Sequence, residues 1–258
     1  MTEHTVELAG NVAMPVVGLG TWGLRGRAAR DAVGWALDSG YRHLDTAAIY
    51  GNESEIGLAL QESGVPRDQV FITTKLPPRE VGKERRTLER SLVALRTDYV
   101  DLWLVHWPPN GSGVATWEAF AELAQENLTR AIGVSNYGPR QIDELISTTR
   151  VIPAVNQVRW SPFIFDRSRL EHSRAAGIVL EGYSPLKASN LGHPLLREVA
   201  ERHAKTTAQV ILRWHLDHGV VVIPKSSRPE RIAANIDLFD FRLHSEEIKA
   251  LDGLSAAT

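Results

Sequence analysis

The chain has no cysteine. That absence removes disulfides, thiolate-bound metals and cysteine nucleophiles together, so the fold has to hold by burial alone. An excess of charge is missing too: 29 Lys and Arg face 31 Asp and Glu, a formal net charge of −2. Such a balance leaves no electrostatic footprint for nucleic acid or an anionic membrane surface. No apolar run approaches the ~20 residues of a membrane-spanning helix. The opening residues, MTEHTVELAG, are polar and acidic where a secretory signal would carry an apolar stretch. No heptad or apolar helix face stands out as an interface. These absences predict a soluble, cytoplasmic monomer whose partner is a small molecule, with no resident metal.

What is present is a repeating pattern. Hydrophobic residues make up 43% of 258, enough to bury roughly 70–75% of the unfolded chain's surface. No linker or low-complexity segment divides the sequence, which predicts one domain over 1–258. Short apolar or β-branched runs occur at 16–20, 42–45, 70–75, 100–106, 130–135, 154–157, 178–183 and 220–224. Stretches of helical period follow each run, beginning near Arg27, Glu53, Glu84, Val114, Pro139, Arg167, Thr207 and Pro229. Near-continuous apolar strands alternating with helices imply a parallel sheet covered on its faces. Eight such units favour closure into a (β/α)₈ barrel over an open sheet. Residues 5–8 and 12–14, around Gly10-Asn11, predict a hairpin ahead of the first barrel strand. A further helix is expected at 245–251, packed outside the barrel.

In a parallel barrel the active site lies where the strands end, so polar residues that terminate apolar runs are the candidates. Asp45 ends the second run, Lys75 the third and His106 the fourth, with Tyr50 five residues beyond Asp45. Ser135-Asn136, Asn156-Gln157 and Glu181 to Ser184 end the next three. Taken singly, each has a plainer explanation: Asp45 as a turn or cap residue, Lys75 as a solvated strand end, His106 as a satisfied core histidine, Tyr50 as packing. Together they suit one chemistry. A lysine ammonium favours phenolate and lowers a tyrosine pKa, an aspartate holds the lysine charged, and a neutral histidine can orient a substrate oxygen. That set protonates an oxygen while hydride arrives at the attached carbon, and the hydride has to come from a cofactor.

The stretches DTAAIYGNE (45–53), ITTKL (72–76), LVHWP (104–108), IGVSN (132–136) and IPKS (223–226) resemble the aldo-keto reductase superfamily. Phrases such as YGNE, FITTKL and NIDLFDF are most similar to its bacterial 2,5-diketo-D-gluconate reductases. The resemblance implies Tyr50 as general acid, Lys75 lowering its pKa, Asp45 pairing with Lys75 and His106 orienting the carbonyl. It implies NADPH as cofactor. Ser135, Asn136 and Gln157 would hold the carboxamide and Tyr183 would stack on the nicotinamide. Gly20, Thr21, Ser184 and Leu186 would line the cofactor's path. Lys225, Ser226 and Arg231 would surround the 2′-phosphate, with Asn235 beside the adenine. Trp22, Ile49 and Trp107 would line the substrate pocket. In family terms the hairpin caps the barrel bottom, and substrates would be small dicarbonyl, α-keto or sugar-derived compounds.

A competing motif is rejected. Gly18-Leu19-Gly20-Thr21-Trp22-Gly23 matches G-x-G-x-x-G, but a dinucleotide turn opens directly into a helix and 24–26 reads as loop. The sequence also departs from the family after Gln157, where Val158-Arg159-Trp160 replaces a pair that is often acidic or neutral. A short loop at 108–114 and a chain ending soon after Leu254 predict an open pocket with loose selection. Asn127, in a turn where glycine is frequent, is tolerated because Asn accepts left-handed backbone. Two other readings stand beside the reductase: an NADP(H)-binding redox sensor with incidental turnover, and a barrel lyase or isomerase using Lys75 as a Schiff base. The second leaves Lys225, Ser226 and Arg231 unexplained.

Overall fold

The structure is a computed structural model describing residues 4–257; the first three residues of the polar opening lie outside the described residues. A two-stranded antiparallel hairpin, β1 (Thr5–Leu8) and β2 (Val12–Pro15), comes first. Eight parallel strands follow: β3 (Leu19–Gly20), β4 (His43–Asp45), β5 (Phe71–Leu76), β6 (Val100–Val105), β7 (Thr129–Ser135), β8 (Val155–Arg159), β9 (Val179–Tyr183) and β10 (Val221–Ile223). Each pairs with its neighbours in chain order. First and last meet through a Val17–Val222 bridge, with Gly18 N donating to Val222 O at 2.9 Å and Gly20 N to Pro224 O at 3.1 Å. The sheet is a (β/α)₈ barrel.

Among the described residues ten helices surround it: α1 (Gly26–Asp38), α2 (Glu53–Ser63), α3 (Glu84–Leu95), α4 (Val114–Gln125), α5 (Pro139–Thr149), α6 (Arg167–Ala175), α7 (Pro194–Arg202), α8 (Thr207–Asp217), α9 (Pro229–Ile236) and α10 (Ser245–Asp252). The starts behave as their residues dictate. Pro139 and Pro229 open α5 and α9, where a missing N–H costs nothing. Thr206 and Gln209 form a reciprocal capping box on α8. α10 packs outside the barrel, where Leu251 joins Trp160, Leu170 and Trp214 in a buried cluster. Among the described residues no helix is long and apolar enough to cross a membrane.

Three details differ from the sequence pattern. α7 falls between β9 and α8, although Pro194 and the apolar spacing of Leu196, Val199 and Ala200 carry a helix signal. A pattern of one helix per strand has no place for it. α1 begins at Gly26, inside the stretch read as loop, but Leu24 and Arg25 still separate it from Gly23, unlike a dinucleotide turn. The first barrel strand is only two residues long, completed by the Val17 bridge.

Strand period two sorts the side chains. Ile72, Trp103, Val105 and Val134 face the helices. Phe71, Leu102, Leu104, Ala131, Val155 and Val221 fill the lower barrel, where Leu8 and Met14 of the hairpin plug them from below. The inward positions above this apolar floor are polar, and they form the site.

Candidate active site

Lys75 is the inward residue near the end of β5, buried completely. Its ammonium donates to Asp45 Oδ1 at 2.8 Å, to Asp45 Oδ2 at 2.7 Å and to the Thr46 carbonyl at 2.7 Å. All three donors are therefore used, as a buried ammonium requires. Burial opposes the charge, but Asp45, Tyr50 and Glu181 outweigh it and lift the Lys75 pKa above its ordinary value. Asp45 ends β4 and is itself buried; it also accepts from Gln157 Nε2 at 2.7 Å.

Tyr50 sits on a short 3₁₀ turn, Ala48–Tyr50, just after β4. Gly51, at φ 66°, turns the chain out of it into α2. Asn52 pins the turn in place: its Nδ2 donates to the carbonyls of Thr21 and Leu24, each at 3.0 Å, and its Oδ1 accepts from Thr46. Glu53 accepts from Thr74 at 2.6 Å and Ser91 at 3.1 Å. The Asn-Glu pair of this motif thus anchors the loop that presents the tyrosine. The Lys75 ammonium lies 5.3 Å from the Tyr50 ring centre, and the His106 ring stands edge-on at 5.8 Å.

The charges differ from expectation at one point. Burial raises the Tyr50 pKa, Lys75 pulls it down and Asp45 pushes it up; the net direction is upward. Lysine does favour the phenolate, but desolvation wins, and Tyr50 stays a protonated phenol at neutral pH. His106 is lowered to about 3 by burial and by the Lys75 charge, so its ring is neutral. Its Nδ1 is buried without a hydrogen-bond partner among the described residues.

A cavity of about 720 Å³ opens above these groups, within the usual size of small-ligand pockets. Gly20, Trp22, Asp45, Ile49, Tyr50, His106, Trp107, Ser135, Asn136, Gln157, Tyr183, Ser184, Leu186 and Lys225 line it. Trp22, Ile49 and Trp107 are exposed apolar side chains on its wall. Asn136 Nδ2 donates to Ser135 Oγ at 3.0 Å and to the His106 carbonyl at 3.1 Å, and Asn136 Oδ1 accepts from the Tyr183 hydroxyl at 2.9 Å. Asn136 and Ser184 adopt left-handed backbone, at φ 64° and 53°, as non-glycine residues at functional sites often do.

Five of the residues that the resemblance assigns to the site do not line the cavity. Lys75 lies beneath it. Thr21 is buried and donates to the Asp45 carbonyl at 2.9 Å. Ser226 Oγ accepts from Arg228 N at 3.1 Å in the turn before α9. Arg231 is exposed and Asn235 buried, both on α9. Gly20 lines the cavity for a structural reason: an added Cβ would meet the Ile223 carbonyl at 2.8 Å.

The sequence reading missed other lining residues, namely Gly23, Pro185, Lys187, Ile223 and Pro224, and left Arg159 without a place. Beneath the cavity it named Glu181 as a strand end without giving it a role, and it missed His43. Glu181 accepts from Gln157 Nε2 at 2.8 Å, and His43 Nε2 lies 3.6 Å from its other oxygen. Burial first, then the Asp45 charge, pushes Glu181 up to about 8, while Gln157 and Lys75 pull it back. His43 is lowered to about 3 by burial, against its bond to the Pro15 carbonyl. For His43 the inward position in the period-two pattern was the only available signal.

Residues 16–256 match the sequence model of the Aldo/keto reductase family. The chain is 42% identical to the glyoxal reductase of Bacillus subtilis, over 98% of this chain and 93% of that one. It is 41% identical to the 9,11-endoperoxide prostaglandin H2 reductase of Trypanosoma cruzi, over 98% and 92%. A Bombyx mori aldo-keto reductase, solved in complex with NADP, superposes with a TM-score of 0.91 at 34% identity, covering 97% of this chain and 92% of that one. With similarity running from the first barrel strand past the last helix, the chain belongs to the aldo/keto reductase family of oxidoreductases.

Proposed function

We propose that the protein reduces aldehydes and ketones to alcohols with NADPH, with Tyr50 as the acid. The observation that carries this reading is the buried Lys75–Asp45 pair under a protonated phenol, with a neutral imidazole beside it, at one end of a ligand-sized cavity. The donor set of the cavity fits a nicotinamide dinucleotide. Ser135, Asn136 and Gln157 offer a hydroxyl and two amides to a carboxamide, and the Tyr183 ring, tethered through its hydroxyl to Asn136, offers a flat face. Lys225 and Arg231, with Arg228 beside them, outnumber Glu230 where α9 begins, a setting that suits a 2′-phosphate and favours NADPH over NADH.

When bound, the nicotinamide supplies the hydride that adds to the carbonyl carbon. His106, neutral, donates a hydrogen bond that orients the carbonyl oxygen. Tyr50 gives its proton to that oxygen. Lys75 stabilises the phenolate left behind, and Asp45 keeps Lys75 charged and in place. The similarity to glyoxal reductase and to a prostaglandin endoperoxide reductase, with the sequence resemblance to diketogluconate reductases, supports small dicarbonyl, α-keto or sugar-derived substrates.

The test is product analysis. With deuterium-labelled NADPH and a panel of small dicarbonyl and sugar-derived ketones, one alcohol should form per NADPH consumed. The label should sit on the carbinol carbon, and NADH should serve less well. Tight NADPH binding with no alcohol from any member of the panel would sink the reading and favour a cofactor sensor.

A further inference from the structure

We infer that Arg159 makes the substrate mouth a carboxylate-recognition site, so that the preferred substrates are carbonyl compounds carrying a negatively charged carboxylate. This deepens the reductase reading and rests on it.

Arg159 ends β8, two residues after Gln157, so it shares the inward face and lies one layer nearer the mouth. Its strand partner is Tyr183, and both line the cavity. The Tyr183 phenol feels the Arg159 charge. Among the described residues the Arg159 side chain is exposed and makes no hydrogen bond and no ion pair. Lys187, which also lines the cavity, lies over the Trp22 ring at 4.7 Å. Among the described residues the sole carboxylate on the cavity wall is Asp45, and Lys75 already neutralises it. A chain with a net charge of −2 thus concentrates unpaired cations at one opening, and a cleft lined by one sign focuses its field and draws the opposite charge.

The position distinguishes substrate from cofactor. Lys225 lies beyond β10, beside the α9 start that suits a phosphate, whereas Arg159 stands on β8 beside the reacting end. β6, which leads to His106, and β8 are separated by one strand, about 10 Å between axes. A carbonyl at Tyr50 and His106 therefore leaves a carboxylate a few bonds away within the field of a guanidinium reaching in from β8, which can bind it through two parallel N–H donors.

The experiment compares ω-oxo carboxylates, 4-oxobutanoate and 5-oxopentanoate, with their methyl esters. The wild type, Arg159→Gln and Arg159→Lys are each assayed with NADPH. The quantity read is the acid-to-ester ratio of kcat/KM, which cancels general damage to the fold. The expected result is a fall of about 10- to 100-fold in that ratio for Arg159→Gln, restored only in part by Arg159→Lys, which keeps the charge but not the paired donors. The dissociation constant for NADPH, followed by fluorescence, should stay within about twofold of wild type. An unchanged ratio in Arg159→Gln overturns the inference and leaves the reductase reading standing. Weakened NADPH binding in step with the kinetic loss assigns Arg159 to the cofactor and also overturns it. A wild type that reduces neither acid, ester nor any neutral dicarbonyl overturns the reductase reading, and the inference with it.

Discussion

Tyr50 is pulled two ways, and the balance has a kinetic signature. Burial holds its pKa above the ordinary tyrosine value, while Lys75 works against that and eases loss of the proton once a substrate oxygen takes it. His106, at about 3, is neutral through the physiological range. The kcat/KM for carbonyl reduction should therefore run level through neutral pH. It should fall only on the alkaline side, as Tyr50 loses its proton above the ordinary tyrosine value of about 10. A pH profile measured at saturating NADPH checks this; an acid limb near the usual imidazole value of about 6.5 would mean that His106 carries the titrating proton. The residues of this chemistry were legible in the sequence because Asp45, Lys75 and His106 each interrupt an apolar run at its end. Glu181 was legible only as a polar strand end with no role, and His43 not at all. A buried carboxyl kept neutral by its surroundings looks, in a sequence, like any other polar residue in a strand. The direction of the Tyr50 shift was likewise hidden, since it depends on how much solvent the phenol loses.

At the scale of elements, the strands announced themselves because β5 and β6 are buried at every position, which leaves no polar alternation to blur the signal. What the pattern could not supply was the close approach of backbones. Gly133 on β7 reads as an ordinary strand glycine, yet an added Cβ would lie 2.6 Å from the Val155 carbonyl and 2.7 Å from Leu104 Cδ2. The β7–β8 ladder and the barrel floor would both have to move. Gly133→Ala is expected to cost about 1–3 kcal/mol, as overpacked cores do. Urea denaturation would show it as a lowered midpoint at unchanged slope; a midpoint equal to wild type would mean that the barrel yields there freely. Helix α7 was missed for a different reason. Its own residues signal a helix, but counting one helix per strand left no place for a second between β9 and β10.

Over the whole molecule, the barrel divides into an apolar lower half plugged by the hairpin and a polar upper half opening to the cavity. The hairpin, the eight strands and the outer C-terminal helix were all readable from spacing, because each is a local pattern. Part of the cavity wall was not, since Arg159, Lys187 and Pro224 meet there only after the sheet closes. Floor and mouth are linked through the inward column: Leu104 packs on the plug, and two residues later His106 faces the cavity. Catalysis should then rest on one removable oxygen. Tyr50→Phe deletes the phenol's hydroxyl and keeps the ring. In single-turnover reactions with NADPH bound in advance, the variant should reduce a small dicarbonyl at least about 10²-fold more slowly than wild type, with NADPH binding unaltered. A variant that reduces it within a few-fold of wild type would show that the proton comes from another group, and that Tyr50 is not the acid.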